Sequence, residues 1–309
     1  MPRVLCITNP AAARTRPRSV DAIMRILDAA GWQTDLVATT GPGDARRLAA
    51  EGVANGVELV AVFGGDGTTM QAAAALVGTD VSLGVLPGGT GNLLAGNLRI
   101  PSSPARAAQA LVTASPRRFD LGRMQRPDGL HYFAVACGAG YDARVMAGTT
   151  TALKRRWGMG AYVATTLRLI SEIRSTAHVI TIDGAEYDAN AAMVLVANCG
   201  EVIPPWIRLG AGIRPDDGLL DVIVVRANSF GQSVRAVWDM LRAAPDVEGF
   251  DTYVGYARGR EIRVETHPVQ PVQLDGEPGG ETPFTATVVP GAISIMVPAP
   301  GVRWRAGAD

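Results

Sequence analysis

The sequence predicts an α/β plus β protein: an N-terminal α/β domain built on a parallel sheet, then a C-terminal antiparallel β-sandwich. Three observations carry this. Up to about Pro116, apolar strand-like runs alternate with helical ones, the pattern of βαβ units. Beyond Phe119 the runs become short, rich in β-formers and punctuated by Gly, Pro and Asp-Gly, as in a sandwich. At 309 residues with 47% hydrophobic side chains, the chain is long enough for two domains with full cores.

In order, the first part offers the strands VLCIT (4–8), QTDLVATT (33–40), ELVAVF (58–63) and VSLGVL (81–86). Helical stretches fall between and after them at 19–30, 44–54, 68–77 and 104–113. The second part offers HYFAVACG (131–138), TAHVITID (176–183), AAMVLVAN (191–198), LLDVIVV (219–225), REIRVET (260–266), VQLDGE (272–277), FTATVV (284–289) and AISIMV (292–297). Two helices are expected to interrupt it, at 150–173 and 230–243. Domain limits are placed at 1–118 and 119–297.

The run AVFGGDGTTMQ (61–71) is the most informative stretch. A strand empties into Gly64 and Gly65, whose missing Cβ atoms let the backbone turn sharply and let a ligand approach its amides. Asp66 stands at the mouth of the turn. After Gly67 a helix is expected, with Thr68 at its start, where unpaired N–H groups and the helix dipole favour anionic oxygens. A carboxylate there would repel phosphate unless Asp66 holds Mg2+ that bridges to the phosphates. GGDG by itself equally suits a plain turn with Asp66 as a helix cap. A second loop of the same kind, VSLGVLPGGTGNLLAGNL (81–98), favours the ligand reading, because two such loops at the ends of neighbouring strands form one crevice. Near the N-terminus, VLCITNP ends a third strand at Asn9.

Composition excludes several classes. Net charge is zero, so the strongly basic balance of a nucleic-acid binder is absent, and no nucleic-acid-binding motif is seen. Every basic residue except Lys154 is arginine. Cys6, Cys137 and Cys199 are far apart, so buried, inert thiols are expected rather than disulfides or a metal cluster. The histidines lack ligand spacing, and no histidine catalysis is expected. No apolar run of about 18 residues is present, so no transmembrane segment is expected. With no signal-peptide pattern either, a cytoplasmic protein is expected.

Taken together, these loops resemble the diacylglycerol kinase catalytic-domain family, the lipid kinases that include bacterial diacylglycerol kinases and sphingosine kinases. The resemblance extends over nearly the whole chain through TTGPGDA (39–45), FDLGR (119–123), CGAGYDARV (137–145), KRRWGMGAY (154–162), RPDDGLLDV (214–222) and LDGEPGG (274–280). NAD kinases and phosphofructokinases share the GGDG loop as more distant relatives. The resemblance implies an N-terminal nucleotide-binding domain with an NAD kinase-like or diacylglycerol kinase-like sheet, to which 298–309 returns.

It further implies ATP and Mg2+ as cofactors and transfer of the γ-phosphoryl group to a hydroxyl of a diacylglycerol-like or sphingoid lipid. Asn9, Thr39 and Thr90 match nucleotide contacts, alongside Gly64, Gly65, Asp66, Gly67, Thr68, Gly89, Gly91 and Asn92 of the two loops. Glu277 matches the general base and joins Asp66 as a catalytic residue. Asp120 matches a carboxylate linked through water to Asp66 and the metal. Asp217 and the carbonyl of Leu219 match a second, structural Mg2+ site. The lipid substrate implies visits to the inner face of the membrane, with Lys154, Arg155, Arg156 and Trp157 as one contact. Exposed edge strands would permit a homodimer. Three departures bear on activity: Leu93 replaces an Asp of the second loop, the first loop reads NPAAAR, and Arg214 replaces a neutral ligand. The alternatives are an NAD kinase-like enzyme and a nucleotide-binding regulatory protein that no longer turns over.

Overall fold

The computed structural model describes residues 2–126, 129–140, 175–203, 207–209, 212–226, 232 and 253–299. The expected helices at 150–173 and 230–243, the Lys154 to Trp157 run and residues 300–309 lie outside them. The chain divides into two compact units, Met1–Phe119 with Ala292–Asp309, and Asp120–Gly291.

In the first unit, β1 (Arg3–Thr8), β2 (Gln33–Ala38), β3 (Leu59–Gly64) and β4 (Ser82–Pro87) form a parallel sheet in the order β2-β1-β3-β4. Helices α1 (Pro17–Ala29) and α5 (Pro104–Val112) pack together on it, as do α2 (Asp44–Ala54) and α3 (Asp66–Leu76). The two pairs cover opposite faces. Val4, Cys6, Leu59, Ala61 and Phe63 meet Ile23 and Leu27 of α1 and Leu111 of α5. Leu5 faces the other way and lies against Gly52 of α2. Burial on both faces explains why β1 and β3 read as unbroken apolar runs. The short α4 (Leu93–Asn97) follows β4.

The second unit is an antiparallel sandwich. One layer contains β5 (Ser115–Arg126), β6 (Gly129–Phe133), β8 (Thr176–Ile182), β9 (Ala185–Ala191) and β15 (Glu261–His267), with the first part of β18 (Phe284–Val297). The other runs β14-β13-β10-β7-β16-β17, formed by Val254–Gly259, Leu220–Val225, Met193–Ala197, Ala136–Gly140, Pro271–Leu274 and Glu277–Glu281. A separate two-stranded pair joins β11 (Glu201–Ile203) and β12 (Ile207–Arg208). Met124, Phe133, Ile180, Val194, Val222, Ile262, Val272 and Phe284 from both layers make one core.

VQLDGE is not one strand but β16, the Asp275–Gly276 turn and the first residue of β17, and three other differences from the sequence expectation also concern the route of the chain. HYFAVACG is not one strand: β6 pairs with β5 in one layer, whereas β7 pairs with β10 and β16 in the other, so the chain crosses between layers at Ala134 and Val135. FTATVV and AISIMV form the single strand β18, whose last residues pair in parallel with β4 in the first unit. The helix after GGDG begins at Asp66 rather than Thr68. Gly65 is extended and acts as N-cap, and Thr69 N donates to Gly65 O at 3.0 Å, which closes the first helical turn around Asp66 and Gly67.

Candidate active site

The strand order puts the topological switch point between β1 and β3: α1 leads from β1 to one side, and α2 leads to β3 on the other. Ligands of open α/β sheets bind outside the carboxyl ends of strands at that point. Asn9 follows β1 and the GGDG loop follows β3. They are joined directly, since Asn9 Nδ2 donates to Thr68 Oγ1 at 2.8 Å. Asn9 Oδ1 accepts from Ala11 N at 2.9 Å, so the same side chain fixes the turn and the adjoining loop.

The two glycine-rich loops touch. A Cβ on Gly89 would lie 2.7 Å from Gly65 Cα, and one on Gly91 would lie 3.0 Å from Asp66 Oδ2. Gly88 N donates to Gly64 O at 2.8 Å, and Arg14 N donates to Gly88 O at 2.8 Å. Asn92 closes the second loop on itself, accepting from Gly89 N and donating to Gly89 O, both at 2.8 Å, around Thr90 and Gly91. Asn92 has φ 50 and ψ 47, a left-handed conformation that Asn tolerates better than most residues. Asp66 Oδ1 accepts from Leu94 N at 3.3 Å, which ties the first turn of α3 to the start of α4.

Thr39 lies one strand away, its amide donating to Thr8 O at 2.9 Å. Next to it, the carboxylate of Asp44 accepts from Thr40 Oγ1, Thr40 N and Gly41 N. Those bonds, led by the Thr40 hydroxyl, hold its pKa down to about 2.

The contact between loops gives a first prediction. Gly89→Ala forces its new methyl into Gly65 backbone, which cannot give way as a flexible side chain would. It is expected to part the loops at an overpacking cost of roughly 1–3 kcal/mol, read as a lowered Tm. An unchanged Tm would mean that the two loops separate without cost.

In the second unit, Asp120 is 3% exposed. Its Oδ1 accepts from Gly291 N at 2.6 Å and its Oδ2 from Gly218 N at 2.7 Å, while its own amide donates to Pro215 O at 2.7 Å. This carboxylate therefore clamps the loop that carries Asp217 and Leu219. Asp217 is exposed, and its Oδ1 accepts from Leu219 N at 3.1 Å. Arg214 is turned to Asp216, Nε to Oδ1 at 3.0 Å.

Nearby, Arg258 Nε donates to Asp221 Oδ1 at 2.8 Å and Nη2 to Gly212 O at 3.1 Å. Burial pushes the Asp221 carboxyl up to about 6 in spite of that guanidinium. Among the described residues, no three His, Cys, Asp or Glu side chains gather to hold a metal ion. A cation at Asp66 or Asp217 would thus take most of its ligands from phosphate, carbonyl oxygen or water, as Mg2+ does.

Glu277 is the first residue of β17 and is exposed, immediately beyond the tip of the β16–β17 hairpin. The two tip residues, Asp275 and Gly276, have φ 47 and φ 82, the positive values that a type I′ turn requires at both positions. Asp275 itself was passed over in the sequence. It is buried, accepting from Ala134 N at 2.7 Å through Oδ2 and from Val135 N at 2.8 Å and Ala136 N at 3.0 Å through Oδ1. The only local signal was its place at the head of an Asp-Gly turn beside Glu277. Cys6, Cys137 and Cys199 are free and buried, and desolvation pushes the Cys6 thiol up to about 12.

Residues 3–124 match the family model for the diacylglycerol kinase catalytic domain, and residues 135–297 match the YegS C-terminal NAD kinase beta sandwich-like domain. The chain belongs to the diacylglycerol kinase family of lipid kinases. The protein of Pseudomonas putida named "Probable lipid kinase YegS-like" is 30% identical over 87% of this chain and 87% of its own length. The diacylglycerol kinase of Mycobacterium tuberculosis is 30% identical over 84% of this chain and 82% of its own length. Among solved structures, a candidate diacylglycerol kinase from Bacillus anthracis superposes with a TM-score of 0.80 at 26% identity, covering 97% of this chain and 96% of that one. Among the described residues, no helix is long and apolar enough to cross a membrane.

Proposed function

We propose that the protein is an ATP- and Mg2+-dependent lipid kinase that transfers the γ-phosphoryl group to a hydroxyl of a diacylglycerol-like or sphingoid lipid. The observation that carries this reading is the contact of the two glycine-rich loops, with the Asp66 carboxylate beside Gly91, in a chain of this family. Phosphoryl transfer needs positioned donors, a metal to neutralise charge and a base at the incoming hydroxyl. The backbone amides of residues 64–68 and 89–92, with Asn9, Thr39 and Thr90, are the proposed nucleotide donors. Bound Mg2+ would screen the phosphates and stabilise the charge of transfer, with Asp66 as its protein ligand, Asp120 reaching it through water, and Asp217 and Leu219 holding a structural ion. Glu277 is the proposed base, because it is exposed and matches the family position.

The test is thin-layer separation of products from radiolabelled ATP with a lipid panel and, in parallel, NAD. A labelled lipid is the expected result. Labelled NADP would establish the NAD kinase-like alternative, and ATP binding without product would establish a regulatory protein. The proposed site of action is the inner face of the membrane, reached from the cytoplasm, with dimer pairing through a sandwich edge strand. Flotation with anionic vesicles is expected to recover part of the protein, less at high salt, and changing Lys154, Arg155 and Arg156 together to Ala is expected to reduce it. Equal flotation of the triple variant would move the membrane contact to another surface.

A further inference from the structure

We propose that Asp275 is a positioning residue for Glu277, locking the β16–β17 turn to the point where the chain crosses between the sandwich layers. The inference rests on reading Glu277 as the base. It starts from the crossing itself. Where β6 ends and β7 begins, Ala134 and Val135 belong to neither ladder and Ala136 opens β7 opposite Ala197, and all three residues are buried. Buried N–H groups must find acceptors. All three donate to the single carboxylate of Asp275, and Asp275 N returns a bond to Ala136 O at 2.9 Å.

The crossing is rigid from its other side too. Asn198 Nδ2 donates to Ala134 O at 2.9 Å and to Asp120 O at 2.8 Å, and both Asn198 N and Cys199 N donate to Val135 O. Asp120 in turn holds Gly218 and Gly291. A continuous hydrogen-bonded path therefore runs from the Asp217 loop through Asp120, Asn198 and residues 134–136 to the hairpin tip. Within the tip, Gln273 Oε1 accepts from Gly276 N at 2.8 Å, so the turn is held from two directions. Glu277 is the next residue, and its backbone has little freedom left.

A three-bond acceptor of this strength is more than a β-turn needs. Asp-Gly turns ordinarily expose the Asp, whose carboxylate water solvates at no cost. Here burial lifts the Asp275 carboxyl to about 6 even though three amides pull it down, with the charge of Glu277 adding to the lift. The fold tolerates a desolvated carboxylate beside a second one, an arrangement that makes sense if exact placement of Glu277 is the return.

The experiment measures kcat for the lipid and Kd for ATP in Asp275→Asn, Gly276→Ala, Glu277→Gln and the doubles that combine each of the first two with the third. Asp275→Asn keeps the shape but turns one acceptor into a donor facing amides. Gly276→Ala keeps the Asp275 carboxylate and strains the positive-φ turn. The expected results are a fall in kcat of about 100-fold for Asp275→Asn and about tenfold for Gly276→Ala, with Kd for ATP unchanged. Each double is expected to be no slower than Glu277→Gln alone, because a residue that acts through Glu277 has nothing left to position.

Losses that multiply in the doubles would overturn the inference, since they mean that the turn acts on something other than Glu277. So would single variants with parental kcat while Glu277→Gln is slow, which would leave the base assignment standing. If Glu277→Gln is as fast as the parent, the base assignment itself fails and the inference with it. Should Asp275→Asn not fold, the Gly276→Ala pair decides by the same criteria.

Discussion

Asp66→Asn is expected to abolish turnover, lowering kcat by roughly three powers of ten or more, equivalent to about 4 kcal/mol of lost transition-state stabilisation. The amide has the shape of the carboxylate and can still accept from Leu94 N, the bond that ties α3 to α4. What it lacks is the charge that would hold Mg2+ against the phosphates. Folding should be unaffected, so circular dichroism and thermal melting separate the chemical loss from a structural one. A folded variant with near-parental kcat would remove the metal role from Asp66, and the mechanism proposed above with it.

Glu277→Gln is expected to lower kcat by about 10²–10⁴-fold, the range that a general base contributes, while Kd for ATP stays within twofold. The split follows from the assignment of roles: nucleotide donors come from the loops after β1, β3 and β4, whereas Glu277 stands at the start of β17. The side chain is exposed, so replacing it removes no buried contact. If kcat and ATP affinity fall together, Glu277 positions nucleotide and the base must be sought elsewhere, with Asp66 the first residue to examine.

The glycine-rich loops were legible in the sequence because what makes them work is local. A strand of apolar residues followed by GGDG or LPGGTGN announces a sharp turn and open amides whatever the rest of the chain does. The same holds for the LDGE hairpin, where an Asp-Gly pair between two β-runs specifies a two-residue turn. Helix α3 was misplaced by two residues for an equally local reason. Gly65 caps the helix from an extended conformation, and a pattern reading that treats glycine as a breaker starts the helix after the last one.

Other features had no local signal. HYFAVACG carries the composition of one continuous strand, and only the pairing of β6 with β5 and of β7 with β10 reveals that it changes layer. Pro290 and Gly291 read as a turn between two strands, yet Asp120 takes the Gly291 N–H and the chain continues as β18. Asp275 looked like an ordinary turn residue because its three donors are at 134–136, about 140 positions earlier.

By itself, then, the sequence determined the alternation of strands and helices in the first unit, the two glycine-rich loops and the family they belong to, since each depends on residues that are neighbours in the chain. Tertiary structure alone decided that Gly65 and Gly89 touch, that Asn9 holds Thr68, and that the carboxylates of Asp120 and Asp275 accept from distant backbone amides. The reason is the requirement that every buried N–H find an acceptor: which acceptor it finds is fixed by how the strands pair, and strand pairing is not a property of any short stretch of sequence.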